Sequence, residues 1–130
     1  MGYTHYFTTK SKPVTDKVWG KFCNITRAII EASQVSICDG IGEGLPMIEK
    51  DCIILNGDAS KGEDFETLHI DRTTPNDSAF CKTGRRPYDI VVVAILSVAS
   101  TLKILNWSSD GVEKDGDFDE AKKLLDNLKG

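Results

Sequence analysis

The sequence predicts an α+β domain: a mostly antiparallel sheet of four to five strands, packed by two main helices and a short C-terminal helix. Three observations lead there. Several short strand-like runs are separated by turn residues. The stretch from Ile90 to Leu96 is apolar around nearly the whole helical circumference, which marks a buried core helix. The last segment is amphipathic, with acid in its first turn and lysine later. At 130 residues and 40% apolar content the chain can bury one compact core, and no stretch resembles an interdomain linker, so residues 1–130 are read as a single domain.

In order, Tyr3-Thr4-His5-Tyr6-Phe7-Thr8 alternates β-branched and aromatic residues as a strand does. Pro13 and Thr15 introduce a helix whose apolar positions Val18, Phe22, Ile25, Ile29 and Ala32 form one stripe, flanked by Trp19 and Ile30. Gly20 costs that helix about 1 kcal/mol relative to alanine. The glycine-rich loop Cys38 to Pro46 can bring backbone N–H groups toward a ligand, but its spacing misses the dinucleotide fingerprint and it follows a helix, so a plain loop is the stronger reading. Asp51 to Leu55, Phe65 to Ile70 and Ser78 to Lys82 read as strands. Asn56-Gly57-Asp58 and Thr74-Pro75-Asn76-Asp77 between them read as turns, so a meander is the simplest connection. In Phe65 to Ile70, Glu66 shares a face with Leu68 and Ile70. The core helix spans Asp89 to Leu105, Asn106 to Gly111 makes a short strand or turn, and Asp117 to Leu128 is the last helix.

The formal charge of −4 argues against a general nucleic-acid binder, so any anion recognition must be local. The basic loop Thr83 to Tyr88 is the best candidate. Pro87 marks a helix start, and Lys82, Arg85 and Arg86 stand beside the free N–H groups and positive dipole end of that helix. Guanidinium forks bind phosphate oxygens bidentately, which makes this a predicted anion site; a solvated basic turn is the plainer alternative. Tyr3, His5, Tyr6, Trp19 and Tyr88 offer stacking faces for a base, although core packing suits Trp19 better. Two histidines, His5 and His69, are too few for a metal site without carboxylates, and Asp110 to Asp119 does not match a calcium loop, so no metal or cofactor is expected. Cys81 with either histidine would make a nucleophile and base only if the fold joined them; a core cysteine is the commoner role. Cys23, Cys38, Cys52 and Cys81 form no Cys-x-x-Cys pair, which suits a reducing cytoplasm. The longest apolar run, Ile90 to Ala99, is about half a membrane span, so no membrane partner is expected.

The opening Met1-Gly2-Tyr3-Thr4-His5-Tyr6-Phe7, the Asp39-Gly40-x-Gly42 loop, Asn56-Gly57, Glu66-Thr67, Phe80-Cys81-Lys82-Thr83-x-Arg85-x-Pro87-Tyr88-Asp89 and Ser109-Asp110-Gly111 resemble a group of small phage-encoded proteins. Gly84 stands where that group usually has alanine, and Phe65 where it often has histidine before Glu66. The resemblance implies a phage accessory protein of the host cytoplasm. Such proteins look like the sponges that sequester nucleotide immune signals, cyclic ADP-ribose isomers or cyclic oligonucleotides, as an anti-defence measure. On that expectation the chain is a non-enzymatic binding protein for a small nucleotide and acts as a homo-oligomer. Lys82, Arg85 and Arg86 hold phosphate; Tyr3, Tyr6 or Tyr88 stack or bond the base or ribose; Glu66 or Asp110 accepts from ribose hydroxyls, with His5 alongside. The alternatives are a small enzyme that cleaves a nucleotide signal with His5 or Glu66 as general acid/base, and an inhibitor of a host defence protein.

Overall fold

A computed structural model describes residues 3–9, 14–74 and 76–129. Its strands are β1 (Thr4–Thr9), β2 (Ile37–Cys38), β3 (Met47–Ile48), β4 (Cys52–Gly57), β5 (Leu68–Asp71), β6 (Asn76–Lys82) and β7 (Leu105–Ser109); its helices are α1 (Asp16–Ser33), α2 (Asp89–Thr101) and α3 (Asp119–Lys129). The α+β class is as the sequence predicts, with the strands in two antiparallel sheets rather than one.

The first sheet has the order β6-β1-β7; in the second, β4 pairs with β2, β3 and β5. The expected meander therefore holds only for β4 and β5. β6 turns away to pair with β1, placing Tyr6 opposite both Phe80 and Ser108. Asn56 and Gly57, read as a turn, complete β4. Asn56 accepts from Phe65 N–H at 3.0 Å and donates to its carbonyl at 2.9 Å, so an extended strand end is satisfied by a side chain. Pro13 and Pro75 lie outside the described residues.

Thr15 caps α1 by accepting from Val18 N–H at 3.2 Å. The buried face of α1 is Trp19, Phe22, Cys23, Thr26 and Ile29, rotated from the predicted stripe, because Trp19 Nε1 donates to Glu49 O at 2.8 Å and turns that ring inward. Gly20 is exposed, and a methyl there would meet nothing within 4 Å. α2 is buried on most sides: Val91 to Leu96 and Ala99 are all core. It ends at Thr101, four residues earlier than predicted, where Lys103 turns left-handed (φ +62°) and Ile104 N–H returns to Ala99 O at 2.9 Å. That stop frees Leu105 to begin β7. Among the described residues no helix is long and apolar enough to cross a membrane.

Glu66 joins the two sheets. Its N–H donates to Lys82 O at 3.1 Å, its carboxylate accepts from Lys82 N–H at 2.8 Å, and its carbonyl accepts from the Tyr88 hydroxyl at 2.6 Å. A residue read as a free polar contact is thus committed at the corner of the fold.

Candidate ligand-binding site

Along β1, β7 and residues 78–82 of β6 the odd-numbered side chains turn toward the helices and the even-numbered ones toward solvent. This alternation divides the predicted site residues. His5 faces inward and is fully buried. Its Nε2 lies 2.6 Å from Asp89 Oδ1 and its Nδ1 lies 2.7 Å from Ser109 Oγ. Thr83 Oγ1 donates to the same Asp89 oxygen at 2.5 Å, and Gly111 N–H donates to Ser109 Oγ at 2.9 Å. A carboxylate only accepts, so Nε2 carries the proton in its bond to Asp89, while Ser109 Oγ, which accepts from Gly111 N–H, is hydrogen-bonded to Nδ1. The chain Ser109, His5, Asp89 is closed over by the rings of Tyr3 and Trp107.

Asp89 occupies the first turn of α2, and its own N–H donates to Arg86 O at 2.8 Å. The helix end expected to receive a ligand anion thus already has a carboxylate beside it. The cationic side chains gather instead around the preceding loop. Thr83 and Gly84 N–H groups both donate to Tyr3 O, and Gly84 and Arg85 adopt left-handed conformations (φ +56° and +58°) that reverse the chain. The Arg85 guanidinium consequently lies 3.8 Å from the centre of the Tyr3 ring, with Nη1 donating to Asp117 Oδ1 at 3.2 Å. Held on one face and one edge, its other N–H groups are available to a ligand. Burial pushes the Tyr3 phenol above its ordinary value, and the charges of Asp89 and Asp117 add to that, while Arg85 opposes it. Tyr3 is therefore a neutral hydroxyl at physiological pH. A side chain on Gly111 would begin 2.2 Å from that oxygen, so the ring fits only against glycine.

Tyr3, Thr4, Tyr6, Lys82, Gly84, Arg85 and Asp110 line an open concavity of about 680 Å³. Tyr6 donates to Asp110 Oδ1 at 3.2 Å, and Thr4 N–H donates to Oδ2 at 3.1 Å, which fixes the carboxylate at the rim. Lys82 has no carboxylate within ion-pair distance among the described residues. Five predicted residues meet here: Tyr3, Tyr6, Lys82, Arg85 and Asp110. Four do not. His5 and Tyr88 are buried, Glu66 is tied into the corner, and Arg86 stacks on Phe65 with its guanidinium carbon 4.5 Å from the ring centre. Arg86 instead lines a second cleft, about 310 Å³, with Arg85, Asp89, Asp117 and Glu120. There three carboxylates face two guanidinium groups, whereas the first concavity sets two cations against one carboxylate. An anion is favoured in the first.

Phe65 and Gly84, singled out from the resemblance, are neighbours: a Cβ added at 84 would lie 2.9 Å from Phe65 Cδ2. The aromatic ring fits because that position is glycine. The glycine-rich loop offers no cradle, since Asp39 accepts the N–H groups of Ile41, Glu43 and Gly44 at 3.0 to 3.1 Å. Those bonds, the one from Glu43 foremost, hold the Asp39 carboxyl below its ordinary range. Cys81 stands directly across from His5 in the register but donates to Glu66 O at 3.5 Å, and burial pushes its thiol up to about 12. It is a core thiol, not a nucleophile. Among the described residues no group of three or more His, Cys, Asp or Glu is placed to hold a metal ion. Sequence reading missed Asp117, which orients Arg85, and Ser109, which completes the histidine chain. Both act across more than thirty residues, and no local spacing signals them.

Set against models of known protein families, curated proteins and solved structures, the chain finds no match.

Proposed function

We propose that this protein is a non-enzymatic binding protein for a phosphate-bearing nucleotide, held on the face made by Tyr3, Tyr6, Lys82, Arg85 and Asp110. The observation that carries the reading is the Arg85 guanidinium, fixed by the Tyr3 ring and Asp117 and opening with Lys82 onto one concavity. Arg85 and Lys82 take the phosphate, Tyr6 supplies a ring for the base, and Asp110 accepts from a ribose hydroxyl. Following the phage resemblance, the ligand is a nucleotide immune signal, a cyclic ADP-ribose isomer or cyclic oligonucleotide, sequestered intact in the host cytoplasm. A second copy of the chain would enclose a ligand held on so open a surface. A thermal-shift screen against cyclic dinucleotides, ADP-ribose derivatives and NAD tests this, since a ligand at a hundred times its Kd stabilises the native state by about 2.7 kcal/mol. No shift with any of them, or an equal shift in Arg85→Ala, rejects it.

One observation favours a second reading, hydrolysis of the bound ligand: the Ser109, His5, Asp89 chain has the connectivity by which a histidine activates a serine hydroxyl. Recovery of intact ligand from heat-denatured protein excludes it. Cleaved product that disappears in Ser109→Ala establishes it.

A further inference from the structure

The outer face of the β6-β1-β7 sheet carries an aromatic pair that the proposed phosphate site does not use fully. Tyr6 on the central strand and Phe80 on its edge neighbour are directly opposite in the register, 44% and 58% exposed. Residues directly opposite in an antiparallel pair have Cβ atoms about 4.5–5.5 Å apart, so both rings stand on one patch of sheet. The other outward-facing residues of that patch are polar: Thr8, Ser78, Asn106 and Ser108, with Phe7, Ala79 and Trp107 beneath them. Two aromatics have been left facing solvent where the alternation asks for polar residues, and they sit side by side.

Tyr6 lines two concavities at once, the basic one with Lys82 and Arg85 and a second of about 580 Å³ that contains Phe80. On β6, Lys82 follows Phe80 on the same face, two residues on. One ring and one cation therefore stand side by side on the outer face of that strand, as a base and its attached phosphate require. Sheets that bind single-stranded RNA use aromatics on open strands to stack two or three bases, while basic groups track the phosphates.

We infer that Tyr6 and Phe80 form a stacking platform for two linked nucleobases, so that the ligand of this site is a dinucleotide whose phosphate reaches Lys82 and Arg85. The inference rests on the phosphate site proposed above. The overall charge of −4 fits a short ligand rather than a long strand, because only a local pair of cations is offered.

The test is calorimetric titration of the full chain with three probes: the linear dinucleotide pApA, AMP and inorganic pyrophosphate. pApA binds more tightly than AMP. Phe80→Leu weakens pApA at least about fivefold, the low end of one base–aromatic contact. The same variant leaves pyrophosphate binding unchanged, which also shows that it is folded. If pApA binds no more tightly than AMP, or is indifferent to Phe80→Leu, the platform is wrong; pyrophosphate binding that Arg85→Ala removes would then leave the phosphate site standing. Failure of all three probes to bind rejects both. A ligand-free dimer that Phe80→Leu dissociates assigns the face to self-association and overturns the platform.

Discussion

His5 Nε2 lies 2.6 Å from Asp89 Oδ1, joining the second residue of β1 to the first of α2 across 84 positions of sequence. The His5 side chain is fully buried and that of Asp89 is 16% exposed, so the pair is shielded from water on most sides. Removing the ring leaves a carboxylate that retains Thr83 Oγ1, and Ser109 loses its hydrogen-bond partner on the ring. His5→Ala is expected to cost about 2–4 kcal/mol of unfolding free energy. Urea denaturation measures it, and a cost under about 1 kcal/mol would show that the chain Ser109, His5, Asp89 does not hold β1, α2 and β7 together.

Two glycines make opposite predictions. Gly20 sits on the exposed side of α1 with open space around it, so Gly20→Ala should stabilise the protein by about 0.5–1 kcal/mol through helix propensity. Gly57 ends β4, where a Cβ would lie 2.1 Å from Glu63 O and 2.9 Å from the Tyr88 ring. Gly57→Ala should destabilise by about 2 kcal/mol or more, since backbone rather than a flexible side chain must move. Melting temperatures of the two variants should shift in opposite directions.

Alkaline pH should weaken the fold from about pH 9 upward. Burial raises the Cys81 thiol from its ordinary 9.0 to about 12, and raises the Tyr88 phenol from 10.0 in the same direction. Between pH 9 and 12 the unfolded chain gives up the Cys81 proton and the native state keeps it. The native state then binds more protons, and stability falls as pH rises through that window; below pH 9 this contribution is present in full. Cys23, Cys38 and Cys52 are also raised by burial, so Cys81→Ala should make the slope of stability against pH shallower by about one proton rather than flatten it. Denaturant midpoints at pH 8, 10 and 11.5 give the two slopes.

Local physics made much of the fold legible and the pairing of its strands much less so. The alternation of β1, the apolar circumference of α2 and the amphipathic α3 are each written in consecutive residues. β2 and β3 are two residues long and exist only because β4 lies beside them, so no periodicity marks them. Trp19 was a flank in the helical stripe and is a core residue because Glu49, thirty positions away, supplies a carbonyl to its indole. The site divided along the same line. Lys82 and Arg85 could be picked out as neighbours of Pro87, but which of Arg85 and Arg86 faces the concavity depends on left-handed turns at Gly84 and Arg85. Glu66, Tyr88 and His5 looked like ligand contacts because polar side chains beside apolar runs are ambiguous until their partners are known.

The division between the two arginines gives the most direct measurement: calorimetric titration of inorganic pyrophosphate and ADP-ribose into wild type, Arg85→Ala and Arg86→Ala. Arg85 stacks on Tyr3 and lines the basic concavity, while Arg86 stacks on Phe65, donates to Gly84 O at 3.3 Å and does not line it. Loss of one charge-assisted contact corresponds to about tenfold or more in affinity, which Arg85→Ala should show for both ligands while Arg86→Ala stays within about twofold. Equal losses in the two variants, or a loss in Arg86→Ala alone, would contradict the assignment of the phosphate site to the face of Tyr3, Lys82 and Arg85.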